Sequence, residues 1–277
     1  MKHLIILNSL PGLWLGMVLL FLLPACGAMA EEDAWNARLK PFYFQDQLIE
    51  DGKDVIGLET PVRAEDGAMV PTRILAKIPQ TPERYISDLW LIIDKNPSPL
   101  AGHFQLTPRS GKADMELRIR VDAYSPVRVV ARTSDGRLHM TERFVKASGG
   151  CSAPAGTDLE SAMKRLGKIR IKTRLEDTLL NPVATTLAIS HPNITGLQKD
   201  QVTTLYIPPH YVKSIKVEFD GETIFNAETD ISISENPNFR FYFIPGQEGT
   251  LTATITDTEG KVFTQQQQLT GTAPSPS

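Results

Sequence analysis

The strongest constraint on the fold is a long series of short segments in which apolar and polar residues alternate. Met115–Val121, for example, reads Met-Glu-Leu-Arg-Ile-Arg-Val. A period of two places the apolar side chains on one face of a β-strand. Turn-forming pairs such as Asp135-Gly136 and Asp220-Gly221 separate the segments. Strands are predicted at 71–78, 88–94, 115–122, 126–133, 168–174, 183–190, 212–219, 239–244, 250–256 and 261–268.

This pattern predicts an all-β protein with two immunoglobulin-like β-sandwich domains, joined by a Gly-rich Cys loop and a short helix. The length of 277 residues suits two domains of ordinary size, and 41% hydrophobic residues suffice for two cores. A further short helix or arm is expected at Ala34–Glu50. The predicted boundaries are 1–30 for a signal peptide, 31–150 for the first sandwich, 151–167 for the Cys loop and linker helix, 168–270 for the second sandwich and 271–277 for a flexible tail.

The first thirty residues are typical of an export signal. Lys2 and His3 precede an apolar stretch, and Ala28-Met29-Ala30 supplies small residues for cleavage before Glu31. The protein is therefore expected in the periplasm. Leu23–Cys26 also resembles a lipoprotein box, and lipid on Cys26 would tether the protein to a membrane. A net charge of −3 gives no indication of nucleic-acid binding.

Either processing route leaves one cysteine without a partner for an internal disulfide, Cys151. Thiols outside the cytoplasm usually form disulfides, so an unpaired cysteine there needs an explanation. It is buried as a small apolar residue, forms a disulfide to another chain, or takes part in a chemical reaction. Its neighbours Gly149, Gly150 and Ser152 are small and cannot by themselves bury a side chain. We therefore expect an accessible thiol on a supporting loop, suited to attack or to covalent attachment.

The segment after this loop is predicted to be a helix. Thr157 and Glu160 form a capping box, and Gly167 ends the helix. Its N-terminal dipole, together with Arg143 and Lys146 upstream, would favour the thiolate if the loop folds back. The apolar face consists of Leu159, Met163 and Leu166.

No catalytic constellation accompanies the cysteine: the sequence lacks a phosphate loop, a nucleophile elbow and a redox partner cysteine. We therefore predict a protein that is not an enzyme and uses no cofactor. His103, His191 and His210 fit no zinc spacing, so no metal is expected unless folding gathers them, and structural roles are favoured. A basic series is predicted to lie on a solvated sheet face, or else to attract anions or acidic partners. It comprises Lys164, Arg165, Lys168, Arg170, Lys172 and Arg174.

Several runs resemble a known family, the SoxYZ sulfur carriers, in the fused form associated with quinoprotein dehydrogenases. The runs that resemble the cysteine-bearing SoxY subunit are Pro61–Pro71, Asp94–Pro99 with Phe104, Arg118–Val121 and Gly149–Cys151. Those that resemble SoxZ are His191–Gly196, Ile207–Val212 and Ser232–Pro237.

The resemblance implies a periplasmic carrier whose Cys151 sulfur holds a sulfur-containing or other small intermediate. Its partners would be enzymes of sulfur oxidation or of a quinoprotein alcohol dehydrogenase-linked pathway. The family's thiol lies on a Gly-Gly-Cys-Gly-Gly arm at a chain end, whereas Ser152, Ala153 and Pro154 follow it here and a second domain continues the chain. An alternative is a binding or adaptor module whose cysteine forms an intermolecular disulfide.

Overall fold

Two β-sheets, packed on a shared core, make up most of the computed structural model. It describes Met1 and residues 33–154, 156, 158–174 and 179–270. The predicted signal peptide after Met1, Cys26 and the predicted tail 271–277 lie outside these residues. In chain order the strands are β1 (Ile49–Asp51), β2 (Ile56–Glu59), β3 (Val70–Ala76), β4 (Ile86–Ile93), β5 (Leu100–Leu106), β6 (Met115–Ile119), β7 (Ser125–Thr133), β8 (Leu138–Val145), β9 (Ile169–Arg174), β10 (Val183–Ile189), β11 (Val212–Phe219), β12 (Glu222–Thr229), β13 (Asn238–Phe243), β14 (Gly249–Asp257) and β15 (Val262–Leu269).

The helical segments are short. A π-helical turn at Trp35–Leu39 continues into α1 (Lys40–Phe44), which confirms the helix expected within Ala34–Glu50. Trp35, Leu39 and Phe44 pack in a second small core against the nine-stranded sheet. A 3-10 turn spans Pro108–Ser110, and α2 spans Leu159–Met163. Among the described residues, no helix is long and apolar enough to cross a membrane.

Each half of the chain contributes strands to both sheets. The first sheet has the order β1-β8-β7-β4-β5-β12-β11-β14-β15, and the second has the order β2-β3-β6-β13-β10-β9. Each half is thus a two-layer sandwich, as the alternation predicted, and the all-β fold is confirmed. The halves join edge to edge, because β5 pairs with β12 and β6 meets β13. One apolar core runs through both halves, and residues from Ala34 onward cluster as one compact unit.

The junction between the halves determines where the cysteine lies. β6 is a central strand of the six-stranded sheet, between β3 and β13, and the chain continues from it through Arg120 and Asp122. The segment after β8 returns to this strand end, where Gly149 N–H donates to Asp122 O at 2.8 Å. The cysteine loop therefore covers the end of β6, a strand at the seam where the two halves of the molecule join.

Candidate functional site

The cysteine loop lies between β8 and α2 and is shaped by two glycines with different roles. Gly149 adopts φ +71°, which favours glycine, and no atom lies within 4 Å of where its Cβ would be. Gly150 instead allows a close approach, since its Cβ would lie 2.1 Å from the carbonyl oxygen of Gly67. Gly149 therefore supplies the turn, and Gly150 lets the loop seat against the sandwich.

The expectation of an accessible thiol is wrong for this structure, because Cys151 is 0% exposed. Its neighbours Ser148, Gly149 and Ser152 are exposed, so the thiol lies directly beneath a surface turn. The Cys151 N–H donates to Asp122 Oδ1 at 3.1 Å. Small neighbours did not prevent burial because other parts of the chain supply the cover.

The cover comes from the second half of the chain. The Thr195 hydroxyl donates to Cys151 O at 2.6 Å, and the Gln198 amide donates to Ala153 O at 2.8 Å. Gly156 N–H donates to Glu235 Oε2 at 2.9 Å. The loop is thus held on both flanks, rather than projecting as an arm.

Burial and charge both act on the thiol. Burial raises the pKa of Cys151 to about 12; the nearby Asp122 carboxylate adds to the rise, and the Arg120 guanidinium opposes it. The upstream residues Arg143 and Lys146 are not among the groups that shift this pKa. Sequence reasoning missed the cation that does, although Arg120 belongs to a run that resembles SoxY.

Arg120 is one of the most buried side chains in the molecule, with 1% of its surface exposed. Its Nη1 donates to Gly150 O at 3.1 Å and its Nη2 donates to Asn193 O at 3.2 Å. It therefore ties the cysteine loop to the loop that follows β10. Its Nε has no hydrogen-bond partner among the residues that the structure describes.

The helix after the loop is shorter than predicted, and its cap is displaced. Asp158 is the N-cap residue, and its carboxylate accepts from Ser161 N–H at 2.9 Å. Thr157, the predicted cap, lies outside the described residues. Gly167 takes φ +74° four residues beyond the last helical residue, Met163, so it ends the turns that follow the helix.

Folding brings two of the three histidines together. His210 Nε2 lies 2.8 Å from Asp257 Oδ2, and His191 Nε2 lies 3.7 Å from the same oxygen. All three residues are buried. His103 lies elsewhere, 2.8 Å from Asp88 and stacked on Trp90.

The ligand atoms of this cluster lie within 4.8 Å of one another, a spacing that a metal ion could draw together. The hydrogen bonds argue against it. The backbone N–H of Asn193 donates to His191 Nδ1 at 3.1 Å, so in the neutral ring Nε2 carries the proton and offers no lone pair. Burial, followed by the His210 charge, lowers the pKa of His191 to about 4. The geometry therefore favours a structural cluster that anchors the loop after β10.

Exposed apolar side chains occur in the segment 197–206, which adjoins the cysteine loop through Leu197 and Tyr206. Val202 is 91% exposed and Leu205 is 69% exposed, and Tyr206 and Leu197 are also on the surface. Leu197 and Tyr206 line a surface depression together with Ser152 and Pro154 of the cysteine loop. The turn above the thiol is therefore part of a partly apolar surface.

The basic series forms the solvated face that its spacing predicted. Arg170, Lys172 and Arg174 are exposed along β9, whereas Ile169 and Ile171 turn inward and pack against the core. Lys168 and Arg170 line a groove that also includes Arg118 of β6. The groove and Arg120 thus share one face of the six-stranded sheet.

Two joined β-sandwiches with a cysteine loop at their seam define a class of all-β protein, and sequence comparisons give the family. Residues 41–151 match the family model of the sulfur oxidation protein SoxY, and residues 172–268 match that of the sulphur oxidation protein SoxZ. The chain therefore belongs to the SoxY and SoxZ families and joins both domains in one polypeptide. The SoxY match ends at Cys151.

Comparison with solved structures gave partial likenesses. The sulfur carrier protein SoxY from Chlorobium limicola f thiosulfatophilum shares 26% identity at a TM-score of 0.34, over 39% of this chain and 88% of that one. A superoxide reductase (neelaredoxin) from Ignicoccus hospitalis shares 12% identity at a TM-score of 0.30, over 33% of this chain and 79% of that one. A search of curated proteins found no match. The family models thus support a carrier role in sulfur oxidation at the level of the class.

Proposed function

We propose that this protein is a periplasmic carrier that holds a sulfur-containing intermediate covalently on Cys151 and presents it to separate enzymes. The observation that carries the proposal is the continuous SoxY match that ends at this cysteine, followed by a SoxZ domain in the same chain. Export is supported by the signal-type sequence at 1–30, and a lipid on Cys26 would place the carrier at a membrane.

The buried thiol makes the described structure the closed state of such a carrier. The turn above Cys151 consists of small residues, and hydrogen bonds such as those from Thr195 and Gln198 fasten it. Each such bond contributes about 0.5–1.5 kcal/mol net, so lifting the turn costs less than global unfolding. Loading therefore requires a local opening, either spontaneous or induced by a partner.

Closure also protects the thiol. With a pKa of about 12, roughly one molecule in 100,000 carries a thiolate at pH 7 in the closed state. Because the thiolate is the nucleophile, the closed carrier resists oxidation and adventitious disulfide formation. Opening exposes the sulfur to water and lets its pKa return toward the ordinary range.

The partner enzymes are proposed to dock on the apolar surface beside the turn, where Val202, Leu205 and Tyr206 are exposed. They belong to sulfur oxidation or, as the sequence resemblance suggests, to a quinoprotein alcohol dehydrogenase-linked pathway. The carrier itself contributes the attachment point and leaves the chemistry to these enzymes.

Intact-mass measurement of the native protein tests the proposal. Protein isolated from cells grown on a reduced sulfur compound should carry an added mass that reductant removes and that maps to Cys151. The Cys151→Ser variant should fold, lack the added mass and fail to support growth on that compound. A bare thiol under these conditions, with a fully active Cys151→Ser strain, would sink the proposal. A reductant-sensitive doubling of mass would instead support the adaptor with an intermolecular disulfide.

A further inference from the structure

The molecule contains two deeply buried arginines that differ in how their charge is balanced. Arg128 forms a two-pronged contact with Asp94, with Nε at 3.0 Å from Oδ1 and 2.9 Å from Oδ2, and also meets Glu142. Arg120 is more deeply buried, yet no carboxylate of a described residue lies within ion-pair distance of it. Its two hydrogen bonds go to the carbonyl oxygens of Gly150 and Asn193.

An unbalanced buried cation is costly, because carbonyl dipoles only partly replace the water that it has lost. Burial accordingly lowers the pKa of Arg120, and among the groups that oppose this Cys151 comes first, ahead of Glu235 and Asp66. The guanidinium is also bound to the carbonyl oxygen of Gly150, the residue directly before Cys151. Its Nε–H points to no acceptor among the described residues.

We propose that Arg120 is the positioning residue that holds the negative charge of a group carried on Cys151 and so sets the charge preference of the carrier. This inference rests on the proposed carrier function. A guanidinium presents N–H groups in a planar fork that suits the oxygens of an oxyanion, and the Nε–H of Arg120 is unused among the described residues. The carrier is thus selective for the charge of its cargo.

The other ionisable group at the thiol, Asp122, does not contradict this arrangement. Its Oδ1 is bound to the backbone N–H of Cys151, so its charge lies on the main-chain side of the residue. The charge of an adduct lies beyond Sγ, further from that amide. Asp122 therefore opposes a bare thiolate more strongly than it opposes an extended anionic adduct.

A matched series of methanethiosulfonate reagents tests the inference on the full mature chain. The reagents transfer an anionic sulfonatoethyl, a cationic trimethylammonioethyl or a neutral methyl thiol. In each case the Cys151 thiolate attacks the divalent sulfur, a mixed disulfide forms, the bond to the sulfonyl group breaks and methanesulfinate leaves with the electron pair. Because the reagents differ in intrinsic reactivity, each rate is divided by the rate of the same reagent with a small free thiol, and the normalised rates report how the opened site treats charge.

In the wild-type protein we expect the anionic reagent to react at least about tenfold faster than the cationic one, and the anionic adduct to melt at a higher temperature. Arg120→Gln should reduce the ratio toward one, and Arg120→Lys should retain part of it. Arg118→Gln is the matched control, since it removes the same charge two residues away on the same face of the sheet and should leave the ratio unchanged.

Two outcomes separate the inference from the carrier proposal. If the three reagents react at equal rates in the wild type, or if Arg120→Gln keeps the preference, the role of Arg120 is refuted while the carrier function stands. If none of the reagents modifies Cys151 in the folded protein, the carrier function itself fails. Should Arg120→Gln not fold, the rate ratios of the wild type and of Arg120→Lys still show whether Arg120 determines the charge preference.

Discussion

The cysteine loop and the histidine cluster are both buried, but they are buried in different ways. Cys151 lies in a loop of small residues held mainly by individual side chains of other segments: Arg120 and Thr195 donate to its carbonyl oxygens, and Asp122 accepts from the Cys151 N–H. His191 and His210 are held by paired backbone hydrogen bonds between Ile194 and His210 and by a shared carboxylate. Asp257 in turn accepts from the backbone N–H groups of Glu259 and Lys261.

The difference shows that burial alone does not separate a functional group from a structural one. What separates them is how firmly the surrounding residues are held in place. A loop held mainly by individual side chains can open locally at less cost than the sheet, whereas a cluster that ties strand ends together opens only with the sheet. Nearly complete burial is thus compatible with a carrier thiol in one place and with a structural cluster in the other.

Removing the carboxylate of the cluster should have the largest effect on stability. We expect Asp257→Ala to lower the free energy of unfolding by about 3–5 kcal/mol, because it leaves buried His210 and two backbone donors without an acceptor. Cys151→Ala should cost only about 1 kcal/mol. Urea denaturation measures both.

Asp200→Ala is a suitable control for this comparison. Asp200 also accepts from two backbone N–H groups, those of Val202 and Thr203, but in an exposed turn, so its loss should have little effect. Equal costs for Asp257→Ala and Cys151→Ala would show that the loop is as firmly built as the cluster.

The cluster should also give the protein an acid-side dependence of stability. The pKa of His191 is about 4 in the folded protein, against an ordinary value of 6.5. The unfolded chain therefore binds more protons between these values, and the folded state loses stability as pH falls from 6.5 toward 4, by roughly 3 kcal/mol at most. Thermal melting across this range should show the loss.

His191→Gln should flatten that pH profile, whereas His103→Gln, at a histidine outside the cluster, should leave it unchanged. Persistence of the full acid-side loss in His191→Gln would refute the assignment of the effect to His191.

Amide hydrogen exchange should separate the two regions directly. The N–H groups of Gly150 and Cys151 should exchange about 100-fold faster than those of Ile194 and His210, because local opening frees the first pair only. Mass spectrometry of peptides from the exchanging protein would report both regions in one experiment. Equal protection in the two regions would show that the cysteine loop opens no more readily than the histidine cluster.

The smallest expected effect comes from one fastening of the turn. Thr195→Val removes the hydroxyl that donates to Cys151 O and should speed labelling of the thiol by about fivefold, which corresponds to roughly 1 kcal/mol. Thr185→Val is the matched control, because it removes a buried hydroxyl that bonds to Thr173, away from the loop. If both variants label alike, Thr195 does not fasten the turn.

The strands were predictable because their signals are local. Alternation in Met115–Val121 and the Asp220-Gly221 turn, whose residues take φ +49° and +82°, are properties of adjacent residues. The predicted segments did not include β1, β2, β5, β8 and β12. β5 was missed because Leu100–Leu106 alternates poorly and contains Gly102. Its pairing with β12 has no local signal at all.

The importance of Cys151 was visible in the sequence, but its environment was not. Thr195 and Gln198, which bind the backbone of its loop, come from the other half of the chain, and Arg120 binds the loop from the end of β6. Likewise His191, His210 and Asp257 meet only because the sandwich closes. Spacing along the chain carries no information about such contacts.

The central claim is that the sealed thiol of Cys151 becomes accessible without unfolding of the protein, and native-state labelling tests it most directly. The rate of modification of Cys151 by neutral methyl methanethiosulfonate should be measured by intact mass at increasing urea concentrations below the unfolding transition. A rate that is nearly independent of urea indicates local opening and is the result we predict. A rate that rises with the full urea dependence of global unfolding would contradict the account.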